Sequence, residues 1–212
     1  MSRTTHRSTH DRGERRPSQK VLVGRTLVEA QPEVDAFLNS VGRHIIRHFG
    51  DRKAKVLTLG FLHLTVAESY AASKGFSQNS YTNQDVRRFR SELQQYLDDN
   101  GAREGIILEI DPEHPLKWFG KDSNRLALHP LPSPELQAQR SLIESFLESR
   151  FGRVERMAPY YGHVVFASFR PGAVVAGAQR NPEILLPDGI AVPERIALNG
   201  LMVFLGGIGD DA

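Results

Sequence analysis

The chain has 212 residues, of which 40% are hydrophobic and 25% are charged, values typical of a globular protein that buries a core. It contains no cysteine, which excludes a disulfide framework and a thiolate metal site. No stretch reaches the roughly 20 apolar residues that cross a bilayer, and the N-terminus lacks the apolar region of a secretory signal. We therefore expect a soluble, cytoplasmic protein without membrane contact.

The net charge is only +2, but basic residues are concentrated at the N-terminus. Residues 1–20 contain six arginines and lysines against two acidic residues. This composition predicts a disordered, solvated tail, followed by a single domain over residues 21–212. A basic arm that contacts nucleic acid is the alternative interpretation of the tail.

After the tail, β-rich segments alternate with amphipathic ones. Hydrophobic spacing of the helical kind, with a glycine stop after each segment, predicts helices over residues 32–49, 84–99 and 134–151. Asn83 and Ser133 are expected to cap the second and third of these helices. Small polar residues predict a loop over residues 69–81. Apolar and β-branched runs predict strands near residues 21–28, 56–66, 105–110, 117–119, 125–129 and 162–169, with late apolar segments at 184–186 and 196–205.

Mixed strands and three helices in this order indicate an α+β fold rather than a doubly wound parallel sheet. The helix punctuation also repeats along the chain. Pro32 and Gly50 delimit the first helix, and Pro134 and Gly152 delimit the third, 18 positions apart in both cases. A histidine followed by apolar residues comes 13 positions after the first glycine and 11 after the second. Such self-similarity predicts a duplicated unit, with one histidine from each half at a shared cleft.

The first of these histidines, His63, is two residues before Thr65 in an apolar segment. Alternate residues of a strand share a face, so we expect both to project together while Leu64 faces the core. An imidazole moves protons near neutral pH and a hydroxyl donates to phosphoryl oxygens, so this pair can serve as half of a phosphoryl-transfer site. His163 occupies the equivalent place in the second half. A structural histidine bonded to the backbone is the alternative for either one.

Residues 63–66 (His-Leu-Thr-Val) and 163–166 (His-Val-Val-Phe) resemble the paired His-apolar-Thr/Ser-apolar motifs of the two-histidine (2H) phosphoesterases. That family includes RNA 2′,3′-cyclic phosphodiesterases and proteins named 2′-5′ RNA ligases. The resemblance extends over residues 21–205 in the order of the elements. It implies a bilobal, duplicated α+β fold, with two antiparallel sheets around a central cleft and the helices outside.

The resemblance also implies a metal-independent phosphodiesterase, without cofactor, that acts on 2′,3′-cyclic phosphate or 2′-5′ bonds of RNA or nucleotides. One of His63 and His163 activates water or a ribose hydroxyl, the other protonates the departing ribose oxygen, and Thr65 steadies the phosphoryl oxygens. We expect the protein to be a monomer. Val165 departs from the family pattern because it replaces the hydroxyl residue of the second motif. Loss of one such donor typically costs ~10²–10³ in rate.

Four residues near His163 in sequence are candidates for substrate binding. Tyr161, Ser168 or Arg170 is a possible replacement for the hydroxyl that Val165 lacks. Tyr160 and Tyr161 are able to stack on a nucleobase. Positions in the core or rim of the strand are the alternative for the tyrosines, and a solvated strand end is the alternative for Arg170.

Two other functions are compatible with the sequence. A non-catalytic RNA- or nucleotide-binding module would keep the cleft and lose part of its second motif. A metal-dependent hydrolase would need acidic ligands clustered with histidine. His44 and His48 have the i, i+4 spacing of metal ligands, but no glutamate follows His44 and no third ligand is evident, so we interpret them as flank positions of an amphipathic helix.

Overall fold

The computed structural model describes residues 19–27, 31–57, 62–71, 81–102, 105–119, 124–151, 162–173, 181–205 and 208–209. Within these ranges the chain forms three α-helices, one short 3-10 helix and nine strands. The helices are α1 (Pro32–Phe49), α2 (Asn83–Asp99) and α3 (Pro134–Phe151), and the 3-10 helix is Pro182–Leu185. The strands are β1 (Gln19–Leu27), β2 (Ala54–Val56), β3 (His63–Ala71), β4 (Ile106–Glu109), β5 (Leu116–Phe119), β6 (Arg125–Leu128), β7 (Val164–Phe169), β8 (Arg195–Leu205) and β9 (Ile208–Gly209).

The predicted α+β class is confirmed, the first and third helices have the predicted bounds, and α2 begins one residue earlier than predicted. The predicted loop is wrong at its start, because β3 continues to Ala71 and pairs there with Gln19 of β1. Cross-strand pairing thus outweighs the small polar composition of this segment. The beginning of β1 at Gln19 also takes two residues from the predicted tail, whose residues 1–18 lie outside the described ranges. None of the helices in those ranges is long and apolar enough to cross a membrane.

Side-chain caps begin the second and third helices. The N-cap of α2 is Thr82 rather than the predicted Asn83: its hydroxyl accepts a hydrogen bond from the Asp85 N–H at 3.2 Å, and the Asp85 carboxylate accepts one from the Thr82 N–H at 2.8 Å. The carboxylate also accepts a hydrogen bond from the Thr82 hydroxyl, and the two bonds that it accepts, from the Thr82 N–H and hydroxyl, hold the pKa of Asp85 below its usual value. At α3 the predicted cap is confirmed, since the Leu136 N–H donates to the Ser133 hydroxyl.

The described strands form one continuous sheet in the order β4-β8-β1-β3-β7-β6-β5, with β2 paired to β7 and β9 paired to β8. All of these pairings are antiparallel. Two sheets are expected from the sequence, and the structure joins them edge to edge where β3 meets β7. A single residue pair, Leu64 with Val164, makes that junction. The predicted sheets are therefore the two halves of one sheet.

The duplication predicted from the helix punctuation is visible as two β-α-β units, β1-α1-β3 and β6-α3-β7. Both helices have 18 residues, and in both units the two strands are antiparallel neighbours. Each helix packs against the last strand of the other unit, α1 against β7 and α3 against β3. The Phe37 ring of α1 contacts the Phe166 ring of β7 at 5.6 Å between centroids, while α3 packs against β3. Each helix therefore supports the strand that carries the other unit's motif.

A buried polar network lies beneath the junction of the two halves. Arg25, which pairs with Leu64 in the β1–β3 register, is 1% exposed. Its Nε donates to Oε1 of Gln139 on α3 at 3.0 Å, and its Nη1 donates to the carbonyl of Asn199 on β8 at 3.2 Å. A buried charge is tolerated when it is hydrogen-bonded in this way. The network ties β1, β8 and α3 together on the core side of the sheet.

Candidate active site

The two histidine motifs meet at the junction of β3 and β7. His63 is the first residue of β3, and His163 directly precedes Val164, the first residue of β7. The Leu64–Val164 pair fixes the antiparallel register. When this register is continued by one residue in each direction, Thr65 lies opposite His163 and His63 lies opposite Val165. We call these four positions the quartet.

Three residues of the quartet, Thr65, His163 and Val165, lie on the face of the sheet away from the helices. Leu64 and Val164 are both fully buried in the core, and side chains alternate between faces along a strand. Thr65, His163 and Val165 are accordingly half-buried on the opposite side, which we call the site face. Residues directly opposite each other in an antiparallel pair have Cβ atoms about 4.5–5.5 Å apart. The quartet is therefore on the scale of one phosphodiester group.

Gly162 sets the position of His163. A Cβ atom at residue 162 would lie 3.1 Å from Cδ1 of Leu64 and 3.2 Å from Cδ2 of Leu136. The chain just before β7 thus packs directly against a side chain of β3 and one of α3, where only a glycine fits without movement of its neighbours. This close approach is what brings His163 beside β3.

The His163 imidazole stacks on the ring of Phe119, the last residue of β5. The two ring centroids are 3.8 Å apart and the ring planes differ by 16°. Stacked aromatic pairs contribute about 0.5–1.5 kcal/mol beyond the area that they bury. This contact fixes the plane of the imidazole. Sequence analysis missed Phe119, because no local pattern shows that the end of β5 reaches a residue 44 positions later in the chain.

His63 is flanked across the sheet by two different side chains. Val165 lies opposite it in β7, and Thr26 pairs with it in β1. Gly200 of β8 makes room for this threonine, since a Cβ at residue 200 would overlap the Thr26 hydroxyl oxygen. Thr26 is thus a hydroxyl residue next to the His63 position that no sequence motif indicated.

The structure does not bring Ser168 or Arg170 into the quartet. Ser168 lies on β7, three residues beyond Val165, a separation of roughly 10 Å in a strand. It is therefore too distant to replace the missing hydroxyl. Arg170 is exposed beyond the end of β7, where its backbone N–H donates to the carbonyl of Lys53 at 2.9 Å. Tyr160 and Tyr161 lie outside the described residues.

His44 and His48, the pair with metal-ligand spacing, both lie on α1. The rings of His44 and His48 are parallel, with centroids 6.3 Å apart, on the outer side of α1. Within the described ranges, no three side chains of the His, Asp and Glu types are grouped to hold a metal ion.

A cavity of about 710 Å³ lies at the β5 edge of the sheet. His129 lines it, with Nδ1 at 3.3 Å from the His114 carbonyl and 3.6 Å from a carboxylate oxygen of Asp111. Backbone N–H groups of His114 and Glu113 donate to the same carboxylate and hold the pKa of Asp111 below its usual value. These contacts secure the turn between β4 and β5.

Comparisons with known proteins locate this fold. The sequence matches no protein-family model and no curated protein. Among solved structures, Usb1 of Kluyveromyces marxianus superposes with a TM-score of 0.53 at 10% identity, covering 91% of this chain and 96% of that one. The complex of Usb1 with uridine monophosphate superposes with a TM-score of 0.50 at 11% identity, with the same coverage. Escherichia coli LigT in its apo form gives 0.48 at 14% identity, over 88% of this chain and 86% of LigT.

The chain has the fold of Usb1. The resemblance inferred from residues 63–66 and 163–166 is therefore confirmed at the level of architecture. In this fold the two motifs lie side by side at the centre of the sheet, in agreement with the predicted duplication.

The packing at Gly162 yields a test of how His163 is positioned. Gly162→Ala is expected to lower the free energy of unfolding by about 1–3 kcal/mol, because the added methyl group overpacks the contact with Leu64 and Leu136. Gly105→Ala is the matched control, since its Cβ meets only the Leu198 carbonyl at an ordinary 3.6 Å. Urea unfolding of the two variants measures the difference. Equal stability would contradict the close approach.

Proposed function

We propose that this chain is a metal-independent phosphodiesterase that cleaves 2′,3′-cyclic phosphate or 2′-5′ phosphodiester bonds of RNA or nucleotides, with His63 and His163 as acid and base. The observation that carries the proposal is the register of β3 and β7. It puts the two histidine positions diagonally across a single residue pair, each next to the third residue of the other motif. The 2H fold of the chain and the nucleotide bound in one structure of Usb1 support the choice of substrate class.

In the proposed reaction the two imidazoles act on either side of one phosphorus, one as base and the other as acid. One imidazole takes a proton from water, whose oxygen then attacks the phosphorus. The other imidazole, in its protonated form, donates a proton to the ribose oxygen as the P–O bond breaks. The first histidine is left protonated and the second neutral, and exchange of protons with solvent restores the starting state. No step requires the chain to hold a metal ion.

The hydroxyl of Thr65 stabilises the charge on the phosphoryl oxygens in this scheme. A preorganised donor aimed at developing negative charge contributes most when water is partly excluded, as at this half-buried residue. The equivalent position in the second motif is Val165, which cannot donate. The site is therefore asymmetric, with a donor beside His163 in the register and an aliphatic side chain beside His63.

The histidine roles are tested by turnover of uridine 2′,3′-cyclic phosphate and a 2′-5′-linked dinucleotide in the presence of EDTA. His63→Ala and His163→Ala are each expected to reduce kcat by about 10²–10⁴-fold, because each removes a proton-transfer group. His44→Ala, on the outer side of α1, is the control and should retain activity. Retention of activity by either site variant would contradict two-histidine catalysis, and loss of wild-type activity in EDTA would favour the metal-dependent alternative.

A non-catalytic binding module is the second candidate, and Val165 is the observation that favours it. Val165→Thr tests the choice, since it restores a hydroxyl with almost no change of volume. In an enzyme, kcat is expected to rise at least about tenfold, because one phosphoryl donor contributes ~10²–10³ in rate where none substitutes for it. Val165→Ala controls for relief of steric crowding. No turnover by wild type and Val165→Thr alike, with nucleotide binding intact, would favour the binding module.

A further inference from the structure

A row of side chains crosses half of the sheet beside the histidines. The strand registers align Lys55 of β2, Ser168 of β7, Arg125 of β6 and Phe119 of β5. Residues aligned in this way point to the same face of an antiparallel sheet. We call Lys55, Ser168 and Arg125 the cation row.

The cation row faces away from the core. Each residue of the cation row has a buried neighbour in its own strand. These neighbours are Ala54, Leu126 and Phe169, with 4%, 0% and 4% exposure. Alternation therefore puts the cation row on the opposite side, where Lys55 and Arg125 are exposed and Ser168 is half-buried.

The same face carries His163. Phe119, which continues the row onto β5, has its ring stacked on the His163 imidazole. The register shift in the β6–β7 pairing also leaves Phe166 unpaired and buried, so that Val165 and Ser168, three residues apart, lie on one side of β7. The cation row is thus an extension of the site face, and Ser168 is roughly 10 Å along the strand from Val165.

Two exposed positive charges, those of Lys55 and Arg125, lie in this row. Neither Lys55 nor Arg125 forms an ion pair with a carboxylate in the part of the chain that the structure describes. The two cations lie on either side of Ser168, two strand spacings apart, or about 10 Å between Cα atoms. Long side chains from these positions can converge on one anion above the serine hydroxyl. A guanidinium fork, an ammonium and a hydroxyl are the groups that bind phosphate oxygens.

We infer that the cation row is a subsite for a second phosphate of the substrate, one nucleotide away from the phosphate held between the histidines. The inference rests on the proposed function and narrows it: the preferred substrate carries at least two phosphates, as an RNA oligonucleotide does. A lone cyclic mononucleotide fills only the quartet. Lys55 and Arg125 then act in binding and do not touch the reacting phosphorus.

The test is the binding of three ligands that need no turnover: uridine 3′-monophosphate, uridine 3′,5′-bisphosphate and the dinucleotide UpUp. Calorimetry on wild-type protein is expected to show about tenfold tighter binding of the two ligands with a second phosphate, from one additional set of charge-assisted hydrogen bonds. Lys55→Gln/Arg125→Gln should remove that advantage and leave the affinity for uridine 3′-monophosphate unchanged. Arg87→Gln, which removes an exposed charge on α2, is the control and should preserve it.

The outcomes separate this inference from the proposed function. An advantage for UpUp assigns the subsite to a phosphodiester within a chain, and an advantage for the bisphosphate alone assigns it to a terminal phosphate. Equal affinity of wild type for all three ligands overturns the subsite, as does an equal loss for all three in the double variant. Because binding is measured on its own, absence of turnover would count against the proposed function and leave this result intact.

Discussion

The contact between Leu64 and Val164 is the constraint on which the rest of this molecule depends. It is the residue pair that joins the two halves of the sheet, and both side chains are fully buried. Because the pair is antiparallel and lies in the middle of both motifs, it relates the motifs by an approximate twofold axis. A shift of β7 by one residue in this register would move the His163 position to the core side. Several contacts elsewhere in the fold stabilise this register.

These stabilising contacts involve both β-α-β units. The exchange of helices, with α1 over β7 and α3 over β3, means that neither half has a complete core without the other. Arg25, which pairs with Leu64 in the β1–β3 register, forms hydrogen bonds to Gln139 of α3 and to the Asn199 carbonyl of β8. Gly162 allows the chain before β7 to pack directly against β3. The groups proposed for catalysis thus belong to strands that are stabilised by packing and hydrogen bonds on their core side. Rigid support of this kind keeps proton-transfer groups aligned with a reacting phosphorus.

Local patterns carried enough information to predict the α+β class, the three helices and the two motifs. Helix punctuation and hydrophobic spacing are properties of neighbouring residues, so Pro32 and Gly50 bound α1 as predicted. The joining of two sheets into one, the stacking of Phe119 on His163 and the alignment of Lys55 with Arg125 depend on which strands become neighbours. Those pairings arise between segments up to about a hundred residues apart, and the spacing along one strand does not reveal them. For the same reason Ser168 was predicted near the phosphoryl group, whereas the shifted register puts it beside the two cations.

The central claim is that His63 and His163 belong to one site, and it is tested most directly by NMR titration of the imidazole resonances with uridine 3′-monophosphate. The account predicts that both histidines shift along a single binding curve with one Kd, while His44 and His48 on the outer side of α1 do not respond. A response from only one of the two, or two curves with different Kd values, would contradict a shared phosphoryl site.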